Sequence, residues 1–196
     1  LILISGLRGD FTSDYQNYID IYNYIGNQDF IEIIKNTNHN HTELLYNLLN
    51  KILYSIYPNE RLLFLTIASL TVAFFVLAFH ESSDFVGISI FLFVSTGLYF
   101  SSFNQMRVLL ASSITFWGSR FIYRRKIFQY ILVVLAAFFI HKTAILMLIL
   151  LVIYPFRVPK KYRIAIPIFA LGIVITTYLG IDKIVDIVTQ YVYTAY

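Results

Sequence analysis

The chain has 196 residues, 58% of them hydrophobic and only 13% charged, with a mean hydropathy of +0.69, which excludes an ordinary soluble domain. Long unbroken apolar runs exclude an outer-membrane barrel, and the lack of cysteine excludes disulfides, thiolate metal sites and cysteine nucleophiles. The net charge of +4 does not point to nucleic acid, because the basic residues cluster between apolar runs, where membrane topology accounts for them.

The expected fold class is therefore all-α: a polytopic helical integral membrane protein in a lipid bilayer, with a mostly helical external segment near the N-terminus. Residues 1–7, beginning LILIS, read as the tail of a truncated transmembrane helix, so the chain is taken as a fragment. Residues 8–60 are polar and too long for a simple connection. Ser13 and Gln16 have the spacing of a capping box, and Tyr15, Tyr18, Ile19 and Tyr22 then share one helical face until Gly26. A tyrosine face suits a membrane interface. After an Asn- and His-rich turn at 36–41, Thr42 is placed to cap a second amphipathic helix that would bury Leu45, Leu48, Leu49 and Ile52 and stop at Pro58. His39 and His41 lack further ligands at a definable spacing, so no metal site is expected.

A transmembrane domain is expected over 61–181. Its blocks 62–79, 85–103, 106–123 and 164–181 each have roughly the length needed to cross hydrocarbon. The run 127–154 is interrupted by His141 and Lys142 and could cross once or twice. It is flanked by two basic links, Arg120, Arg124, Arg125 and Lys126 on one side and Arg157, Lys160, Lys161 and Arg163 on the other. Both links should be cytoplasmic, which favours a short hairpin with His141 at its tip over one long tilted helix. The same count makes 8–60 external, the link 80–84 cytoplasmic and 182–196 an external interfacial tail. It also brings Arg107, the His141 tip and the Tyr15 helix towards one external compartment.

Arg107 opens an apolar helix, where an arginine serves either as a snorkelling anchor or as an anion clamp. Its guanidinium keeps its charge and can grip phosphate oxygens in a bidentate way. His141 and Lys142 form an ionisable pair in an apolar run. There the imidazole can take a proton and the ammonium can neutralise an anionic leaving group, unless the histidine merely satisfies a carbonyl at a helix break.

Arg8 followed by DYQNYIDIY (14–22), ELLYNLLN (43–50), NQMRVLLA (104–111) and FIHKTAIL (139–146) occur in an order and separation that resembles the EpsG family of Wzy-like polysaccharide polymerases. Val108 departs from that pattern, which often has Gln after the motif arginine. The resemblance implies a multi-pass protein of the bacterial inner membrane, acting as a membrane glycosyltransferase on undecaprenyl-diphosphate-linked glycans without cofactor or metal. A flippase and a chain-length regulator of the same pathway would be further partners. It implies that Arg107, with Arg8 or Lys142 assisting and Asn104 beside it, holds the diphosphate. His141 would then be the base or a diphosphate hydrogen-bond donor. Asp14, Tyr15, Tyr18 and Glu43 would line the acceptor-sugar entrance or pack the external helices. A lipid-linked glycan ligase, a polysaccharide flippase or exporter, and a structural membrane subunit are the alternatives.

Overall fold

Where this chain breaks its helices decides which residues meet. The computed structural model describes residues 1–35 and 42–154, and no strand occurs among them. The elements are α1 (Ile2–Gly6), α2 (Tyr15–Gly26), α3 (Phe30–Lys35), α4 (Leu44–Ile56), α5 (Glu60–Ser82), α6 (Val86–Ser95), α7 (Leu98–Asn104), α8 (Met106–Gly118), α9 (Arg120–Tyr123), α10 (Ile127–Phe138), a 3-10 helix (Lys142–Leu148) and α11 (Ile149–Ile153). The turn 36–41, the link 155–163, the block 164–181 and the tail 182–196 lie outside the described residues.

The axis is α5. The extended chain runs through Asn59, whose side chain accepts from the Arg61 N–H, filling one of the vacant donor positions at the helix start. Its 23 residues span roughly 34 Å, enough to cross a bilayer. The start of α5 (Leu63, Phe64, Ile67) packs with Met106, Leu110 and Ala111 of α8. The same cluster takes in Tyr18 and Tyr22 of α2, Tyr46 and Leu53 of α4, and Ala137, Ile140 and Ala144. Helices α2 and α4 press together closely at Gly26, where a Cβ would run into the ring of Tyr54 and where Lys51 Nζ donates to the Gly26 carbonyl at 2.8 Å. Further along α5, Phe75 packs with Phe93, Tyr99, Phe103 and Leu109.

Among the described residues, the helices are shorter than the apolar blocks suggest. Block 85–103 is broken rather than continuous: α6 stops at Ser95, Gly97 takes a φ of +81° that only glycine adopts freely, and α7 leaves at 53°. Block 106–123 ends at Gly118 and gives a helix of 13 residues, roughly 20 Å, followed by the four-residue α9. Among the described residues one helix, α5, is long and apolar enough to span a membrane, or two if α6 and α7 count as one bent span.

Two caps also differ from expectation. Ser13 does not close a capping box: its Oγ donates to Asn104 Oδ1 at 3.0 Å, and α2 starts after Asp14 without a side-chain cap. Thr42 Oγ1 turns to Asn47 Oδ1 at 2.6 Å, and the residue before α4 is Glu43. In α4 the buried side is Tyr46, Asn47, Asn50 and Leu53, while Leu45 and Ile52 point outward. The expected face assumed that apolar residues turn inward, as they do in water. Leu48 is half-buried and Leu49 packs against the core as expected, so the inward face mixes apolar side chains with Asn47 and Asn50 and leaves only part of the expected set outside.

In 127–154 the chain reverses. Helix α10 ends at Phe138, His141 is extended (φ −156°, ψ 121°), and the 3-10 helix runs back along α10. Tyr130 Oη donates to the Met147 carbonyl at 2.7 Å, whereas in one straight helix those residues would stand roughly 25 Å apart.

Candidate functional site

Three chain segments meet at their helix ends, and their backbone groups bind one another there. The first turn of a helix has amide donors with no partner inside the helix. In α4 two of these, Leu45 N–H and Tyr46 N–H, donate to the Phe139 carbonyl at the end of α10, at 2.8 and 3.3 Å. In return the Glu43 carboxylate, at the cap position of α4, accepts the Lys142 N–H through Oε1 at 3.0 Å and so occupies the start of the 3-10 helix. This exchange fixes Glu43 beside the turn that carries His141.

Arg107 arrives from the other side, on the first turn of α8. Its Nη1 donates to Glu43 Oε2 at 3.0 Å, and its guanidinium carbon lies 5.5 Å from the Tyr46 ring centre. His141 Nδ1 stands 3.3 Å from Glu43 Oε1, ion-pair distance when the ring is protonated, though without the alignment of a hydrogen bond. The side chains of Arg107, Glu43 and His141 are 19%, 14% and 16% exposed, sheltered yet reachable. One carboxylate therefore joins an arginine and a histidine that the sequence had singled out separately. Glu43 itself had been expected only at the acceptor entrance or in packing. Lys142 reaches the cluster through its backbone N–H, and the residue is exposed.

The other candidates frame this centre. Asn104 Oδ1 accepts from Ser13 Oγ and from the Asp14 N–H, both at 3.0 Å, and its carbonyl accepts from Tyr18 Oη at 3.0 Å. Asn104 thus clasps the start of α2 to the α7–α8 joint and holds half-buried Asp14 there. Tyr15 stacks on Phe64 with ring centres 4.8 Å apart. Burial raises the Tyr18 hydroxyl pKa against the opposing pull of Arg107, so Tyr18 remains a neutral donor. Tyr46, which the sequence did not single out, is completely buried, its hydroxyl has no hydrogen-bond partner, and burial raises its pKa also.

Arg8 is 6% exposed. Its Nη1 donates to the Ser5 carbonyl at 3.0 Å and its Nη2 reaches Met106 Sδ at 2.7 Å. The guanidinium carbon lies 4.4 Å from the Phe64 ring centre and 5.7 Å from that of Phe103. Its Nε has no partner, and no described carboxylate lies within ion-pair distance of it. Burial lowers its pKa, against the favourable influence of Tyr18, Tyr15 and Tyr46. Two cations with different surroundings, Arg107 paired on α8 and Arg8 without a carboxylate partner against Met106, thus meet at the start of α8.

Chemically, the arrangement sets a titratable imidazole and a guanidinium on the two oxygens of one carboxylate. If Nδ1–H faces Glu43, Nε2 of His141 is the lone pair left to take a proton, and the carboxylate steadies the charge that forms. Arg107 spends Nη1 on Glu43, one donor of a five-donor fork. No group of three or more His, Asp or Glu side chains able to hold a metal occurs among the described residues. No curated protein and no solved structure matches the chain. A family model does match it, over residues 1–196: the chain belongs to the EpsG family.

Proposed function

We propose that this protein polymerises lipid-linked oligosaccharide repeat units into an exopolysaccharide, capsule or O-antigen. The glycan would be transferred from undecaprenyl diphosphate at the outer face of the bacterial inner membrane. Membership of the EpsG family points to a polymerase-like role in polysaccharide biosynthesis and to a membrane protein. The observation that carries the finer reading is the Glu43 carboxylate, 3.0 Å from Arg107 Nη1 and 3.3 Å from His141 Nδ1.

In the proposed step an acceptor sugar hydroxyl attacks the anomeric carbon of the donor glycan. The new C–O bond forms as the bond to the lipid diphosphate breaks, and the bonding pair leaves with the diphosphate. The hydroxyl proton passes to His141 Nε2 while Glu43 holds the ring and balances the imidazolium. Arg107 faces the leaving group, and Arg8 and Lys142 add positive charge around it. Because Arg107 already contacts Glu43, the diphosphate would share that guanidinium with the carboxylate rather than claim it whole. Asp14 and Tyr18, held in place by Asn104, and Tyr15, stacked on Phe64, stand on the acceptor side in this reading. A flippase that delivers the repeat units and a regulator of chain length complete the proposed pathway.

The test is a chain-length ladder of surface glycan in a deletion host carrying His141→Ala or Arg107→Ala at equal membrane abundance. Loss of an acid–base residue should lower transfer by roughly 10²- to 10⁴-fold, so long chains should vanish while single repeats remain. An unchanged ladder would reduce both residues to packing and anchoring. Loss of single repeats as well would move the function to ligation or export.

A further inference from the structure

Nine residues along α8 from Arg107, roughly 14 Å away, the ends of α5 and α8 carry a second site of different character. A cavity of about 480 Å³ opens between α5, α6 and α8, walled by Phe75, Phe79, Phe93 and Phe116. A second cavity of about 400 Å³ is lined by Glu81, Tyr123, Arg120 and Arg124. Ser82 lines both, so the aromatic cleft opens beside the arginines.

Charge and surroundings define what fits. Residues 120–126 hold Arg120, Arg124, Arg125 and Lys126, against Glu81 and Asp84 in the adjoining link, which leaves two positive charges uncompensated. Arg120 is held in place by Trp117, 3.7 Å below its guanidinium carbon, and by the ion pair with Glu81. Its Nε has no partner. Arg124 touches Glu81 only at 3.5 Å, and its side chain is 56% exposed. On the cleft's other wall, α6 has Ser89 and Ser95 as its only polar side chains, and Phe85 just before it, with Ile88 and Phe91 on it, face outward at 57–69% exposure. Such a helix belongs in hydrocarbon, so the cleft's contents come from the bilayer and not from water.

We propose that this end of the protein is a binding site for an acidic glycerophospholipid, with one acyl chain in the phenylalanine cleft and the phosphate on Arg124 and Arg120. A zwitterionic lipid offers the same chain but carries a compensating cation that these arginines repel. Basic pockets between membrane helices select anionic headgroups on this ground.

Trp117 is the chain's one tryptophan and lies under Arg120, so its fluorescence reports lipid arriving there. The full chain would be reconstituted in phosphatidylcholine bilayers containing a small, varied fraction of brominated phosphatidylglycerol or brominated phosphatidylcholine. Brominated phosphatidylglycerol should quench at roughly a tenfold lower mole fraction. Arg124→Gln should narrow that difference about fivefold. Ser89→Phe, which fills the cleft, should narrow it as well, and both variants should leave the Trp117 emission maximum and the glycan ladder unchanged. Equal quenching by the two lipids would overturn the proposal. So would a phosphatidylglycerol preference that survives both variants, since the lipid would then be drawn by general surface charge.

Discussion

Two glutamates, Glu43 and Glu81, each bind two basic side chains, and the contrast between them separates a cluster that includes a titratable ring from one built on arginines alone. Glu81 pairs with Arg120 and Arg124, both permanent cations, one of them laid over Trp117 and Phe121. Both partners come from one short stretch, 120–124, and both are arginines. Glu43 pairs with one permanent cation from the start of α8 and, from the turn at 141–142, one titratable ring and one backbone N–H. A group of the second kind can accept a proton and keep an anion nearby at the same time. A group of the first kind can only hold, or attract, negative charge.

The sharpest test of this contrast is to neutralise each glutamate in turn. Glu43→Gln keeps the side chain's shape but removes the charge that steadies His141 and shares Arg107. The glycan ladder should lose long chains, with transfer down by roughly 10²-fold or more at equal abundance. Glu81→Gln should leave that ladder unaltered, and equal losses in both variants would erase the distinction.

Smaller effects test the scaffold beneath Glu43. Gly26→Ala places a methyl group against the Tyr54 ring at the α2–α4 contact, and overpacking of that kind costs about 1–3 kcal/mol. Thermal unfolding in detergent should show the loss, and an unchanged midpoint would mean that α2 can shift away from α4 freely. Asn104→Ala leaves the Asp14 N–H and Ser13 Oγ without their acceptor, at about 1–2 kcal/mol, and should loosen α2 enough to raise the acceptor concentration needed for transfer. The smallest difference concerns the ion pairs themselves. A double-mutant cycle on Glu43 and Arg107 should give a coupling of about 1 kcal/mol, while one on Glu81 and Arg124 should be close to zero because Arg124 is mostly solvated.

Much of the site could be read from the chain because ionisable residues in apolar runs are costly and conspicuous. Arg107 and His141 stood out on that ground, and the placement of basic links put them towards one compartment. Glu43 did not stand out, since a glutamate before an amphipathic helix is an ordinary feature of exposed helix starts. Tyr46 was hidden by the same periodicity that misplaced part of the inner face of α4, where leucines seemed the natural core. The break at Gly97 has a trace in the small residues Ser95, Thr96 and Gly97, yet glycine is common within membrane helices, so the bend was not derivable.

By itself, then, the sequence determined an all-helical, strongly apolar chain with its charges gathered in short links, because hydropathy and charge clustering are local properties. It also determined where α2, α4 and α5 occur, since their periodicity and flanking Gly, Pro and Asn act within a few residues. Only the tertiary structure decided that Glu43 joins Arg107, 64 residues away, to the turn at Lys142, 99 residues away. Contacts over such separations depend on how helix ends exchange their unsatisfied amides and carbonyls, and that exchange has no period along the chain.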